Sequence, residues 1–157
     1  MTASALFALV SFVWSLSGFL SPTTSSFGEY TSSEIFQEVG GHVLFGLLVG
    51  ALTFNLSLAL VCGASSILID LDHTLSALGF QVLDRSAHSV IFAIVAGLIV
   101  AYMTRPSQSR PILSVTIVGG VLSHLSYDIF AGYGAFPILA PFSYSLYSFP
   151  TWTWLGL

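Results

Sequence analysis

The sequence predicts an all-α membrane protein, and three observations predict it. Only 6% of its 157 residues are charged while 55% are hydrophobic, and the mean hydropathy is +0.91. Apolar runs of near-membrane length recur between short polar stretches. The remaining charge is sparse: seven acids, three Arg and no Lys. A chain this poor in charge cannot cover a water-facing surface, so the lipid bilayer must complete the exterior of its core. Such a balance offers no basic footprint, so no nucleic acid is expected as a partner. The only cysteine, Cys62, lies in an apolar run, which excludes an internal disulfide and reads as a small buried side chain.

The expected order is an N-terminal anchor helix, a short-helix hairpin, an antiparallel transmembrane helix pair and an irregular aromatic-rich C-terminal tail. Residues 3–20 are apolar, uncharged and long enough to cross a bilayer. Small residues near 15–18 resemble a cleavage site, but no cation precedes them, so the helix reads as a retained anchor, with Trp14 in lipid contact or packing. Residues 21–38 form the only long polar stretch and hold all three Glu. They read as a solvated loop whose Thr31-Ser32-Ser33-Glu34 fits a capping box. Residues 1–38 are therefore taken as anchor and loop, and 39–157 as the helical membrane domain.

Residues 41–69 are apolar throughout. One continuous helix would separate His42 from Asp70 by roughly 40 Å at ~1.5 Å per residue. A break near Asn55 would instead give two segments of about a dozen residues and return both groups to one side. The hairpin is preferred, although Asn55 also suits a bent helix. Residues 76–84 read as a loop, followed by an apolar helix from His88 to about Met103. Arg105-Pro106-Ser107-Gln108-Ser109-Arg110-Pro111 is a turn carrying two of the three arginines, and the positive-inside rule places it in the cytoplasm. The next helix runs from near Ile112 to just before Gly132. In the tail, Pro137, Pro141 and Pro150 oppose another regular span, and Trp152 and Trp154 read as interfacial anchors.

The chemistry gathers at Asp70-Leu71-Asp72-His73. His42 lies upstream, His88 follows one loop later, and His124 with Asp128 is an i, i+4 pair sharing a helix face. In the antiparallel arrangement His88 and the His124–Asp128 pair fall at similar depth, away from the arginine loop and toward the non-cytoplasmic side. Ionisable groups at membrane depth face a cavity or one another and mark function by default. Imidazole with carboxylate suits a divalent metal, zinc first and manganese or iron as alternatives, and seven such groups could serve two ions sharing a water. Hydrolysis follows, with Asp70 or Asp72 as a general base. Asp84 beside Arg85 reads as a local ion pair.

These motifs resemble the YdjM-like membrane-bound metal-dependent hydrolases, a family with a distant likeness to zinc-dependent phospholipases C. Gly41-His42-Val43-Leu44-Phe45 is similar to the family's opening Gly-His run, and Ser66 to His73 to its Leu-Pro-Asp-x-Asp-His signature. Ala87-His88-Ser89 resembles its Thr-His-Ser step. Leu122 to Asp128, followed by Gly134 and Pro137, resembles its His-x-x-x-Asp helix. Ile69 replaces a proline, and Asp84-Arg85-Ser86-Ala87 replaces Arg-Gly-x-Thr, which shifts the arginine. The resemblance implies His42, Asp70, Asp72, His73, His88, His124 and Asp128 as metal ligands, and an enzyme of the plasma membrane acting on a lipid phosphoester. The rival expectation is a non-catalytic integral subunit that keeps the cluster as a structural site among partner subunits of a membrane complex.

Overall fold

A computed structural model describes residues 2–22, 32–104, 108, 110–133 and 135–156. Thr31 and the Ser32-Ser33-Glu34 side chains of the expected capping box, Arg105-Pro106-Ser107 and Ser109 of the arginine turn, and Gly134 lie outside the described residues. Helix α1 (Thr2–Ser15) continues as a 3-10 turn, Leu16–Leu20. Helices α2 (Ser32–Ala51) and α3 (Leu56–Leu68) form a hairpin. A 3-10 turn, Ile69–His73, links α3 to the short α4 (Thr74–Ala77). Then come α5 (Val90–Met103) and α6 (Arg110–Ala131). Three stretches, Ala3–Leu20, Leu56–Ala77 and Arg110–Ala131, are long and apolar enough to cross a membrane.

The hairpin breaks where expected, and its turn has two causes. Asn55 is extended, and its side-chain oxygen accepts the Leu58 amide at 3.2 Å, capping α3. Phe54 before it takes a positive φ of 52°. The arms are longer than a dozen residues. Helix α2 begins at Ser32, within the stretch read as loop, because Gln37 and Glu38 favour helix and tolerate water. The second arm runs through the 3-10 turn, giving 22 residues from Leu56 to Ala77. Small residues let the arms touch: a Cβ on Gly50 would fall 2.6 Å from Ala59 Cα, and one on Gly46 would fall 2.8 Å from Gly63 Cα.

Helix α5 starts two residues later than expected because Ser89 is its cap, accepting the Ile91 and Phe92 amides at 3.1 and 3.4 Å. His88 thus sits in the preceding turn. Helix α6 starts two residues earlier, since Pro111 in a first helical turn forgoes no hydrogen bond. It packs against α2, α3 and α5, and α1 packs against α3, α5 and the Ile69–His73 turn. The core lies among them: Phe7, Ile69, Phe92, Ala96, Val100, Ile117 and Val121 are buried together.

The tail is mostly irregular, as the prolines demand. It adds an antiparallel pair, β1 (Ala135–Phe136) with β2 (Tyr147–Ser148), and a final 3-10 turn, Thr151–Gly156. The two tryptophans diverge. Trp152 is exposed, whereas Trp154 packs on Phe45 and Phe130, each at 5.6 Å between ring centroids. Cys62 is buried with a free thiol.

The turn chemistry makes opposite forecasts for adjacent residues. Asn55→Ala removes a helix cap and should lower stability by about 1 kcal/mol. Phe54→Asn should raise it, because Asn tolerates the left-handed conformation better than an aromatic residue. Melting temperatures of both variants in detergent check the pair.

Candidate metal centre

The centre is assembled by a change of helix type. In an ordinary α-helix Asp70 and Asp72 would point apart. Three residues per turn instead eclipse positions i and i+3. Asp70 and His73 accordingly share one face, with Asp70 Oδ1 3.4 Å from His73 Nε2. Asp72 turns inward and is fully buried. Its Oδ2 accepts the Ala87 amide at 2.6 Å and lies 3.2 Å from His88 Nδ1, which fixes the turn before α5.

The remaining residues arrive from the hairpin and from α6. Close approach of α6 to α3 is possible because position 120 is Gly; a Cβ there would fall 2.7 Å from Ser65 Cβ. His124 Nδ1 then reaches the Ser66 carbonyl at 2.6 Å, and the Ser66 hydroxyl donates to the His42 carbonyl at 2.7 Å. His42 stacks on His124 with centroids 3.7 Å apart, and its Nε2 lies 3.5 Å from Asp128 Oδ1. Tyr127 covers the stack edge-on, resting on Gly41 where any Cβ would collide with its ring.

All seven residues singled out in the sequence meet at one place. His88 Nε2 and His124 Nε2 are 2.9 Å apart. Asp70 Oδ1 lies 3.5 and 3.4 Å from these nitrogens, and Asp128 Oδ2 lies 3.5 Å from both. Two groups have donor atoms within 4.8 Å of one another, the spacing needed to hold an ion: Asp70, Asp72, His73 and His88; and His42, His124 and Asp128.

The protonation pattern follows from the acceptors. A carbonyl only accepts, so His124 Nδ1 carries hydrogen, and the carboxylate of Asp72 requires the same of His88 Nδ1. With both Nδ1 atoms protonated, the 2.9 Å contact between the two Nε2 atoms requires a proton on one of them or a cation beside them. Burial also pushes the His88 imidazole below its ordinary pKa, favouring the neutral ring that a metal needs. Buried Asp72 Oδ1, Asp128 Oδ2 and His42 Nδ1 have no hydrogen-bond partner, so donor capacity is left for an ion. The donor set therefore fits a divalent metal.

Two further participants escaped the sequence reading. Asp84 Oδ1 contacts His73 Nδ1 at 2.9 Å, orienting that ring as a carboxylate behind a ligating histidine does. Arg85 donates to the Tyr133 carbonyl at 2.7 Å and lies 3.6 Å from Asp128 Oδ2. Read as a local pair, both reach into the centre. Arg85 carried a usable signal, because the other two arginines fall together in one short stretch of the sequence, residues 105–110. Nothing in the spacing marks Asp84.

A model of the YdjM inner membrane protein family matches residues 38–157. The chain belongs to this family. No curated protein and no solved structure matches it. The part matched to the YdjM family contains every residue of the centre and excludes α1, while the family and the three apolar stretches together place the protein in a membrane.

Asp72→Ala would leave the buried Ala87 amide without an acceptor and the His88 ring unsupported. We expect a stability loss of about 1–3 kcal/mol, measured as a lowered melting temperature in detergent, even after treatment with a chelator.

Proposed function

We propose that the protein is a membrane-embedded, metal-dependent hydrolase that cleaves a phosphoester of a lipid-like substrate. The observation that carries the reading is the 2.9 Å approach of His88 Nε2 to His124 Nε2, flanked by Asp70 and Asp128. His42, Asp70, Asp72, His73, His88, His124 and Asp128 hold the ion or ions, and a mixed nitrogen and oxygen set favours zinc. When bound, such a metal supplies a deprotonated water at neutral pH and polarises a phosphoryl oxygen.

The side chains divide the remaining work. Asp72, Asp84 and the Ser66 carbonyl orient His88, His73 and His124. Asp70 is the most open carboxylate of the set, its side chain 31% exposed, and takes the proton of the attacking water as general base. Arg85, 17% exposed and beside Asp128, brings positive charge to a mouth that receives an anionic phosphoester. With the arginine turn cytoplasmic, the centre lies toward the non-cytoplasmic face of the plasma membrane, where a substrate enters sideways from the bilayer.

Purified protein should contain stoichiometric metal by elemental analysis and hydrolyse a phosphodiester such as bis(p-nitrophenyl) phosphate or a phospholipid. His124→Ala should lose both metal and activity. Asp70→Asn should lower the rate about 10²–10⁴-fold. Bound metal without hydrolysis of any phosphoester would overturn the enzyme in favour of a structural site in a non-catalytic subunit.

A further inference from the structure

Helix α1 lies outside the part matched to the YdjM family, and an anchor needs only to be apolar. Its inward face is not. Phe7, Ser11, Trp14 and Gly18 recur at helical spacing, and Ser11 is fully buried, while Leu9, Phe12 and Val13 face outward. The polar atoms on the inward face contact backbone beside the centre. Ser11 Oγ donates to the Ile69 carbonyl at 2.8 Å, at the residue where α3 gives way to the 3-10 turn carrying Asp70, Asp72 and His73. Trp14 Nε1 donates to the Ser86 carbonyl at 3.1 Å, inside the turn carrying Asp84, Arg85 and His88.

The contact continues along the helix. The Leu83 amide donates to the Gly18 carbonyl at 3.2 Å, and a Cβ on Gly18 would fall 2.6 Å from the Leu83 oxygen. The Tyr144 hydroxyl donates to the Ser17 carbonyl at 2.8 Å, tying in the tail. One face of α1 thus holds two backbone segments that meet through Asp70, Asp72, His73, Asp84, Ala87 and His88.

We propose that α1 is a working part of the metal centre, with Ser11 and Trp14 as positioning residues that set the register between the Asp70–His73 and Asp84–His88 segments. The proposal rests on the reading of the cluster as a metal site. Donor atoms on both segments must converge within a few tenths of an ångström, and groups that orient ligands typically govern affinity 10- to 100-fold. A hydroxyl and an indole N–H aimed at carbonyls are suited to that task, because each fixes a backbone position without adding charge.

The test uses the full chain in detergent, stripped of metal and titrated with Co²⁺, whose visible absorption reports ligand geometry. The double variant Ser11→Ala with Trp14→Phe should bind Co²⁺ about 10- to 100-fold more weakly and with an altered spectrum. Ser11→Thr, which keeps the hydroxyl, and Leu9→Ala, on the outward face, should behave as wild type. Hydrogen exchange supplies a readout that needs no metal. In the double variant, exchange should quicken at residues 69–73 and 85–89 and stay unchanged in α5. Wild-type cobalt affinity and spectrum in the double variant would overturn the proposal, as would faster exchange spread over the whole chain. If the unaltered protein takes up no cobalt, the metal reading fails, and exchange alone decides whether α1 sets the register.

Discussion

Gathering four carboxylates, four imidazoles and a guanidinium among apolar helices, most of them buried, is the constraint to which the rest of the structure answers. Each group must be met by protein or by an ion, because lipid offers nothing. The Ser66 carbonyl meets His124, Asp72 meets His88 and the Ala87 amide, Asp84 meets His73, and Arg85 approaches Asp128. These pairings demand that α3, α6 and the turn before α5 approach closely, and Gly120 sits where a side chain would hold α6 off α3. Local backbone choices thus follow from an electrostatic requirement.

The 3-10 turn answers the same requirement. Three donors in four consecutive residues cannot all face one point from an α-helix. Tightening the backbone brings Asp70 and His73 into line and sends Asp72 inward, so one short segment serves both the open side of the centre and its buried wall. The carboxylates thereby acquire different surroundings from nearly the same place in the sequence. Asp72 is committed to holding other residues, while Asp70 stays accessible. That division supports assigning them different work.

Much of this was legible in the residues themselves. Low charge announced the membrane, and with so few ionisable groups available, those at His42, Asp70 to His73, His88, His124 and Asp128 were conspicuous. Asn55 disclosed the hairpin because a lone amide amid apolar residues has a strong local use as a cap. The 3-10 turn was not legible: Ile69-Asp70-Leu71-Asp72-His73 has no proline or glycine to force it, and its cause lies in contacts with distant residues. Asp84 was hidden for a similar reason, since its partner, His73, is set by the fold of an intervening loop. The polar duties of α1 were invisible because serine and tryptophan in an apolar helix also suit ordinary packing. Helix α2 began earlier than the polarity of residues 21–38 suggested, since an exposed helical turn and a loop have similar composition.

The distances along the chain between α1 and its acceptors bear on how the protein is put together. Ser11 waits for a carbonyl 58 residues away, and Trp14 for one 72 residues away. Helix α1 leaves the ribosome and can enter the bilayer well before either acceptor has been made. Both bonds can therefore form only after residues 69 and 86 have been made. Contacts of such long range also slow folding. The polar centre cannot be complete until α6, which carries His124 and Asp128, has been made as well.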